Sequence, residues 1–180
     1  MRGWGTSRLG PKKVGDGGEF PEPSDHALGR SRGGFGTKLH LICDGRGTPL
    51  AVDLTPGQAH ESTRCEPLVQ ALLDEWPDVL PQKLAGDKAY TGRRIREWLA
   101  ERWIEPVIAR RKSERVPGDE NDFDKATYKR RGVIECCIGW LKECRALATR
   151  FEKLAVNYLG TVRLAIILRY LRLLDSSDRA

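Results

Sequence analysis

Long apolar runs are missing from this chain of 180 residues. The longest purely aliphatic stretch near the C-terminus, Leu164 to Leu168, is far short of the roughly 20 residues that a bilayer-spanning helix needs. No apolar core follows Met1; the sequence there is polar and Gly-rich, which is not how a secretion signal reads, so a cytoplasmic protein is expected. Cysteine is scarce and poorly spaced for cross-links. There are five, an odd number; Cys136 and Cys137 are adjacent, and no C-x-x-C occurs. That pattern excludes a disulfide framework and a structural zinc site, and leaves buried, reduced thiols as the expectation. Acidic charge is the minority: 25 Asp and Glu against 31 Lys and Arg give a net charge of +6 and a pI near 9.2. Such a balance suits an anionic partner such as nucleic acid, and equally suits an ordinary basic protein. What remains, 39% hydrophobic and 31% charged residues, is the composition of a folded domain with a real core.

The positive charge is concentrated. Between Lys125 and Lys153 eight basic residues face three glutamates, a net of +5. Glycine is concentrated too: 12 of the 19 glycines precede Thr48. Residues 1–36 are Gly-, Pro- and charge-rich without a periodic pattern, and are predicted to form a flexible arm. Residues 37–180 are predicted to form the folded domain. Leu39, Leu41 and Cys43 alternate with His40 and Ile42, a strand period. Asp44-Gly45-Arg46-Gly47 is a turn, and Leu50 to Leu54 the returning strand. A helix is predicted over 61–75, a short strand at "KLAGDKAY", a helix from Thr91 or Gly92 to Arg102, and a strand at "EPVIAR". Residues 111–124 read as an exposed loop. One long helix is predicted from Ala126 to Arg150 and another from Asn157 to Leu174. The order β-β-α-β-α-β-α-α is that of an α/β fold with a mixed sheet.

Four residues stand out on the predicted long helix: Tyr128, Arg131, Glu135 and Lys142, spaced by 3, 4 and 7. At 100° per residue they return to nearly one face, opposite an apolar stripe of Val133, Cys137, Trp140, Leu141, Cys144 and Leu147. Taken by itself, this spacing is read first as a solvated face with an i,i+4 ion pair. Asp87, in "AGDKAYTG", follows the apolar end of a strand, where functional side chains of open α/β sheets gather; taken by itself it is read first as a loop aspartate capping a turn. A strand-end carboxylate and a helix carboxylate 48 residues apart are also the elements from which a two-metal phosphoryl-transfer site is assembled.

The run "YKRRGVIECCIGWLK" resembles the Y-x2-R-x3-E-x6-K signature of DDE insertion-sequence transposases, and most closely the insertion sequence five group of the insertion sequence four and five superfamily. "GRSRGGFGTKLHLICDGRGTPL", "LTPGQAHES", "AGDKAYTG" and "RALATRFEKLAVNYLG" resemble further blocks of that family, in the family's order. The resemblance implies an RNase H-like fold, a mixed sheet flanked by helices, and three metal-binding carboxylates that hold two Mg2+ ions in a complete site. Asp87 matches the second carboxylate and Glu135 the third. Arg131 and Lys142 match the signature's basic positions and Tyr128 its aromatic one, all expected to lie near DNA, with Arg145 and Arg150 extending the basic track. His60 matches a recurrent family histidine of underivable role; a satisfied loop histidine is the other reading. The implied partners are the terminal inverted repeats, target DNA, and a second transposase chain or an upstream half.

The family's first aspartate, on the first, central strand of the sheet, finds no match. Asp16 and Asp25 stand in turn-like contexts, Asp44 at a hairpin tip, and Asp53 on the returning strand. The expectation is therefore a truncated RNase H-like domain lacking that strand, weak or inactive by itself and with an exposed sheet edge. It would be half of a split-frame pair or the product of a decayed element. A non-catalytic, DNA-binding regulator of transposition is the alternative; an RNase H-like nuclease acting on other substrates is disfavoured by the signature helix.

Overall fold

A computed structural model describes residues 2–5, 24–114 and 123–177. Six strands and six α-helices are found among them: β1 (Arg2–Gly5), β2 (Gly29–Ser31), β3 (Gly34–Cys43), β4 (Pro49–Pro56), α1 (Cys65–Glu75), β5 (Lys83–Gly86), α2 (Arg93–Ala100), β6 (Glu105–Ile108), α3 (Lys125–Arg130), α4 (Gly132–Glu143), α5 (Arg145–Thr149) and α6 (Ala155–Ser177). The fold is mixed α/β, as expected. The single mixed sheet is not what forms. β3 pairs with β1, β2 and β4 in one four-stranded sheet, and β5 pairs in parallel with β6 in a separate one. Two strands fall inside the segment expected to be an arm, and β3 itself starts before Thr37. The bare edge expected on the hairpin is thus met in part by β1 and β2, while residues 6–23 lie outside the described ones.

Chain contacts divide the protein into two compact units. The first comprises Met1–Gly3, His40–Ala51 and His60–Cys137; the second comprises Trp4–Leu39, Val52–Ala59 and Ile138–Ala180. In the first unit the turn between β3 and β4 forms for local reasons. Asp44 accepts backbone N–H bonds from Arg46 and Thr48, both at 2.8 Å, and Gly47 takes φ +87°, a region closed to most side chains. A Cβ on Gly47 would also stand 2.9 Å from Val133 Cγ1, so glycine is required there twice over. The β5–α2–β6 crossover pairs Leu84 with Pro106 and Ala85 with Val107. Parallel strands need such a connection because no hairpin can join them. The core of this unit gathers Ile42, Leu68, Val69, Leu84, Ile95 and Ile108 around Tyr90, which is 1% exposed.

In the second unit Thr37 Oγ1 donates to the Ala27 carbonyl (2.6 Å), and the Gly57 N–H to the Gly36 carbonyl (2.9 Å). Helix α6 is anchored by Tyr158, Val162 and Ala165, all buried, with the Tyr158 hydroxyl donating to the Leu147 carbonyl at 2.9 Å. Burial raises the Tyr158 phenol to about 12.

The predicted helix 126–150 is three helices. At Arg131 the N–H reaches back to the Tyr128 carbonyl and the Ile134 N–H to that of Arg131, both at 3.2 Å, a tightened turn just before Gly132. Three-residue spacing of this kind and glycine's low helix propensity go together. A second break comes at Cys144, whose backbone is extended and which starts α5. The five cysteines are all reduced: Cys65 and Cys137 are buried, Cys43 and Cys144 half-buried, and Cys136, against expectation, exposed. Alternation along β3 is also lost, because Leu39, His40, Leu41 and Ile42 are all buried and both faces of that stretch are covered.

Candidate active site

The apolar strand β5 ends at Gly86, where a Cβ would come within 3.3 Å of Ile108 Cγ1, and the chain then turns at Asp87. Asp87 has an extended backbone, and its Oδ1 accepts the Ala89 N–H at 2.7 Å, capping a short 3-10 turn over Lys88–Tyr90. Asp87 lies directly after the strand end, where the sequence put it, and it caps a turn. Cap and metal ligand are compatible roles, since one oxygen suffices for the N–H. Tyr90, at the end of this turn, is forced well above its ordinary pKa, first by burial and then by the negative charges of Glu61 and Asp87.

The signature segment is fixed to the same strand by a device that sequence reading missed. Asp124 caps α3 by accepting from the Thr127 N–H (2.9 Å) and hydroxyl (2.7 Å). Its Oδ2 also takes the Lys83 ammonium at 2.8 Å, and Lys83 is the first residue of β5. The Lys83 bond, then the Thr127 bonds, hold the Asp124 carboxyl well below the usual carboxylate range. The local D-x-x-T pattern was a cap signal that could have been read. The tie to Lys83, 41 residues away, had no local signal.

On α3 the Tyr128 ring packs against Phe123 with centroids 5.2 Å apart. The Arg131 guanidinium lies 4.9 Å from the Tyr128 ring centre, so the two signature residues meet as a cation–π pair. The Arg131 Nε is buried without a hydrogen-bond partner among the described residues. A groove of about 160 Å³ lies beside them, lined by Asp44 and Gly45 of the hairpin tip, Lys83 and Ala85 of β5, and Arg130 and Arg131. Arg130 is tied to the hairpin tip by a 3.2 Å bond to the Gly45 carbonyl. Ile134, in the first turn of α4, lines the same groove, and Glu135 follows it with an exposed side chain.

Lys142 and Arg145 are exposed, at the end of α4 and the start of α5. Arg150 departs from the expected basic track. It is 2% exposed, and its guanidinium donates to the backbone carbonyls of His26, Ala27, Glu152 and Lys153 and stacks on Tyr158 at 4.9 Å. A buried fork that satisfies carbonyls and supports a residue at φ +40° holds chain together and is not available to a phosphate. His60 is an exposed loop histidine whose Nδ1 lies 2.6 Å from the Ser62 hydroxyl and caps the turn that follows.

Asp87 and Glu135 offer only hard carboxylate oxygens, the donor chemistry that suits magnesium. No group of three His, Cys, Asp or Glu side chains able to enclose a metal ion occurs among the described residues. The donor type of each fits a divalent cation.

Residues 14–169, most of the chain, match the family described as Transposase DDE domain. The chain belongs to this transposase family. It is 33% identical over 159 residues to a putative transposase for insertion sequence element IS402 of Burkholderia cepacia, covering 86% of this chain and 64% of that relative. It is 29% identical over 136 residues to the putative transposase for insertion sequence element IS6501 of Brucella ovis, covering 76% of this chain and 98% of that one. The chain thus spans under two thirds of the Burkholderia transposase and nearly all of the Brucella one. No solved structure matches. Membership agrees with the signature of Tyr128, Arg131, Glu135 and Lys142. No helix among the described residues is long and apolar enough to cross a membrane.

Proposed function

We propose that this transposase-family chain acts on DNA ends by metal-dependent phosphoryl transfer, within an RNase H-like catalytic domain. The observation that supports the proposal is that Asp87 and the signature segment share β5: Asp87 follows the strand's last residue, while the groove lined by Arg131 and the first turn of α4 lies at its first residues and does not include Asp87. Asp87 and Glu135 would hold magnesium. The bound ion would supply Lewis-acid activation of a phosphodiester and of the oxygen that attacks it.

The chain's own side chains do the rest. Asp87 is pre-positioned by its bond to the Ala89 N–H, so its second oxygen is presented without a loop having to order. The Tyr128 ring fixes the plane of the Arg131 guanidinium, a fork matched to two phosphate oxygens. Lys142 and Arg145 are exposed cations that would pair with backbone phosphates. The family's first carboxylate has no match in this sequence, so binding of DNA and metal is expected to exceed turnover.

The test is binding and strand transfer on a labelled duplex carrying the ends of the parent element, with Mg2+, for the chain and for Asp87→Ala, Glu135→Ala and Arg131→Ala. Salt-sensitive DNA binding is expected, with Arg131→Ala lowering the log–log salt slope by about 1. Glu135→Ala should keep DNA binding while weakening Mn2+ binding seen by electron paramagnetic resonance. Cleavage abolished by both carboxylate substitutions would show that this chain supplies a third ligand. Binding without cleavage would favour a regulatory, non-catalytic role. DNA binding indifferent to salt and to Arg131→Ala would sink the proposal.

A further inference from the structure

Charge on α2 runs against the helix's own dipole. Arg93, Arg94 and Arg96 begin it, with no acid in the first turn; Glu97 and the C-capping Glu101 lie toward its end, with no cation in the last turn. Acids stabilise a helix N-terminus and cations its C-terminus, so this order opposes helix stability. Helix α1 ends in the same way, on Asp74 and Glu75 without a cation in its last turn. The strands that follow bring the two connections to one end of the unit. Lys83 opens β5, Glu105 opens β6, the two are partners in parallel register, and the Glu105 N–H donates to the Gln82 carbonyl at 2.9 Å. Exposed apolar residues mark that end. Trp76, Val79 and Leu80, between α1 and β5, are 51%, 60% and 54% exposed, and Trp103, between α2 and β6, is 86% exposed. With a tryptophan surface on the order of 250 Å², Trp103 alone leaves about 200 Å² in water. It does so at φ +59°, a left-handed conformation that a bulky side chain rarely takes. The cations of these connections are already engaged: Arg102 lies over the Trp98 ring at 3.8 Å and donates to the Trp98 carbonyl, and Lys83 is paired with Glu105 and Asp124.

We propose that this end of the β5–α2–β6 crossover docks a Lys- and Arg-rich amphipathic segment of another protein. Charge complementarity selects the partner. Asp74, Glu75, Asp78, Glu101 and Glu105 are all exposed, and the carbonyl ends of two helices add partial negative charge. Such a surface repels a DNA backbone and attracts ammonium and guanidinium groups. The apolar side of the segment would cover Val79 and Leu80, while the Trp76 and Trp103 rings accept either a leucine or, over the ring face, an arginine. Tryptophans of this kind anchor an interface and lengthen its lifetime, and the surrounding acids speed encounter and reject the wrong charge. Acids misplaced for their helices and a tryptophan misplaced for its backbone stabilise nothing in the isolated fold, whereas both contribute to holding such a partner. This inference does not rest on the catalytic proposal.

A fluorescent peptide of leucines and lysines in amphipathic helical order tests it, titrated with the full chain and followed by anisotropy. Saturable binding at micromolar protein is expected, weakening as salt rises. A peptide of equal charge built from lysine and serine should bind at least about tenfold more weakly, because it leaves the rings uncovered. Trp103→Gly places at φ +59° the one residue that adopts it freely, so it should raise the dissociation constant by about tenfold with no fall in melting temperature. Asp78→Lys combined with Glu101→Lys should weaken binding at least as much. If that pair does not fold, Asp78→Asn combined with Glu101→Gln should act in the same direction. No binding of the leucine–lysine peptide, equal affinity for the lysine–serine peptide, or affinity unchanged by these substitutions in folded protein would overturn the proposal.

Discussion

Arg150 and Arg145 are five residues apart in a basic segment, yet the structure buries the first and exposes the second, and one substitution pair separates them. Arg150→Ala removes a guanidinium that is 2% exposed and leaves the carbonyls of His26, Ala27, Glu152 and Lys153 without their shared donor. Hydrogen bonds from a charged donor contribute roughly 1.5 to 3 kcal/mol each, so the loss of two well-made bonds alone destabilises by about 3 kcal/mol. For a chain of this size each kcal/mol moves the melting temperature by about 2 to 4 °C, so a drop of about 6 to 12 °C is expected. Arg150→Lys should recover little, because one ammonium cannot reproduce a planar fork that reaches several carbonyls. Arg145→Ala, at an exposed position, should change stability by no more than about 0.5 kcal/mol and instead weaken DNA binding with a shallower salt slope. Melting by circular dichroism and anisotropy titrations of labelled DNA on the same samples give both readouts. If Arg150→Ala melts with the wild type while losing DNA affinity, Arg150 belongs to the DNA track and the structural role assigned to it is wrong.

Three further outcomes follow from particular contacts. Gly57→Ala would bring a Cβ within 2.7 Å of the Gly29 carbonyl oxygen and 2.9 Å of that of Gly36; neither backbone can yield cheaply, and a loss of about 1 to 3 kcal/mol is expected in chemical denaturation. The Asp124 carboxyl is held below its ordinary pKa by Lys83 and Thr127, so its contribution is present above the usual carboxylate range and fades as pH falls below about 4; Asp124→Asn, which can still cap α3, should flatten the acid limb of a pH–melting curve, and an unchanged limb would contradict the Lys83 clamp. Leu141→Ala, at a position with no exposure, should cost about 2 to 5 kcal/mol, checked by denaturant unfolding against exposed Leu164→Ala, for which little change in the monomer is expected.

The sequence alone carried the family. Signature residues, their spacing and the strand-end context of Asp87 are local patterns; Asp87 does follow β5, whereas Tyr128 and Glu135, expected on one helix, stand on α3 and α4. Helices and strands of the middle of the chain were legible because apolar periodicity reports which side of an element faces a core. The continuous helix over 126–150 was not, since a periodic pattern passes unbroken through Arg131, where a tightened turn before Gly132 shifts the register.

What tertiary structure decided were matters of distant partners. Whether an arginine in a basic run is a solvated charge or a buried bracket depends on carbonyls some 120 residues away, as Arg150 and His26 show. Whether Asp124 only caps a helix or also clamps it to β5 depends on Lys83. Whether the late leucines of α6 are core or surface depends on what else packs there, and a helix's hydrophobic pattern is the same in both cases. Local sequence fixes a side chain's phase along its element; the partner it meets is set by where the chain brings back another segment, and no window around the residue contains that information.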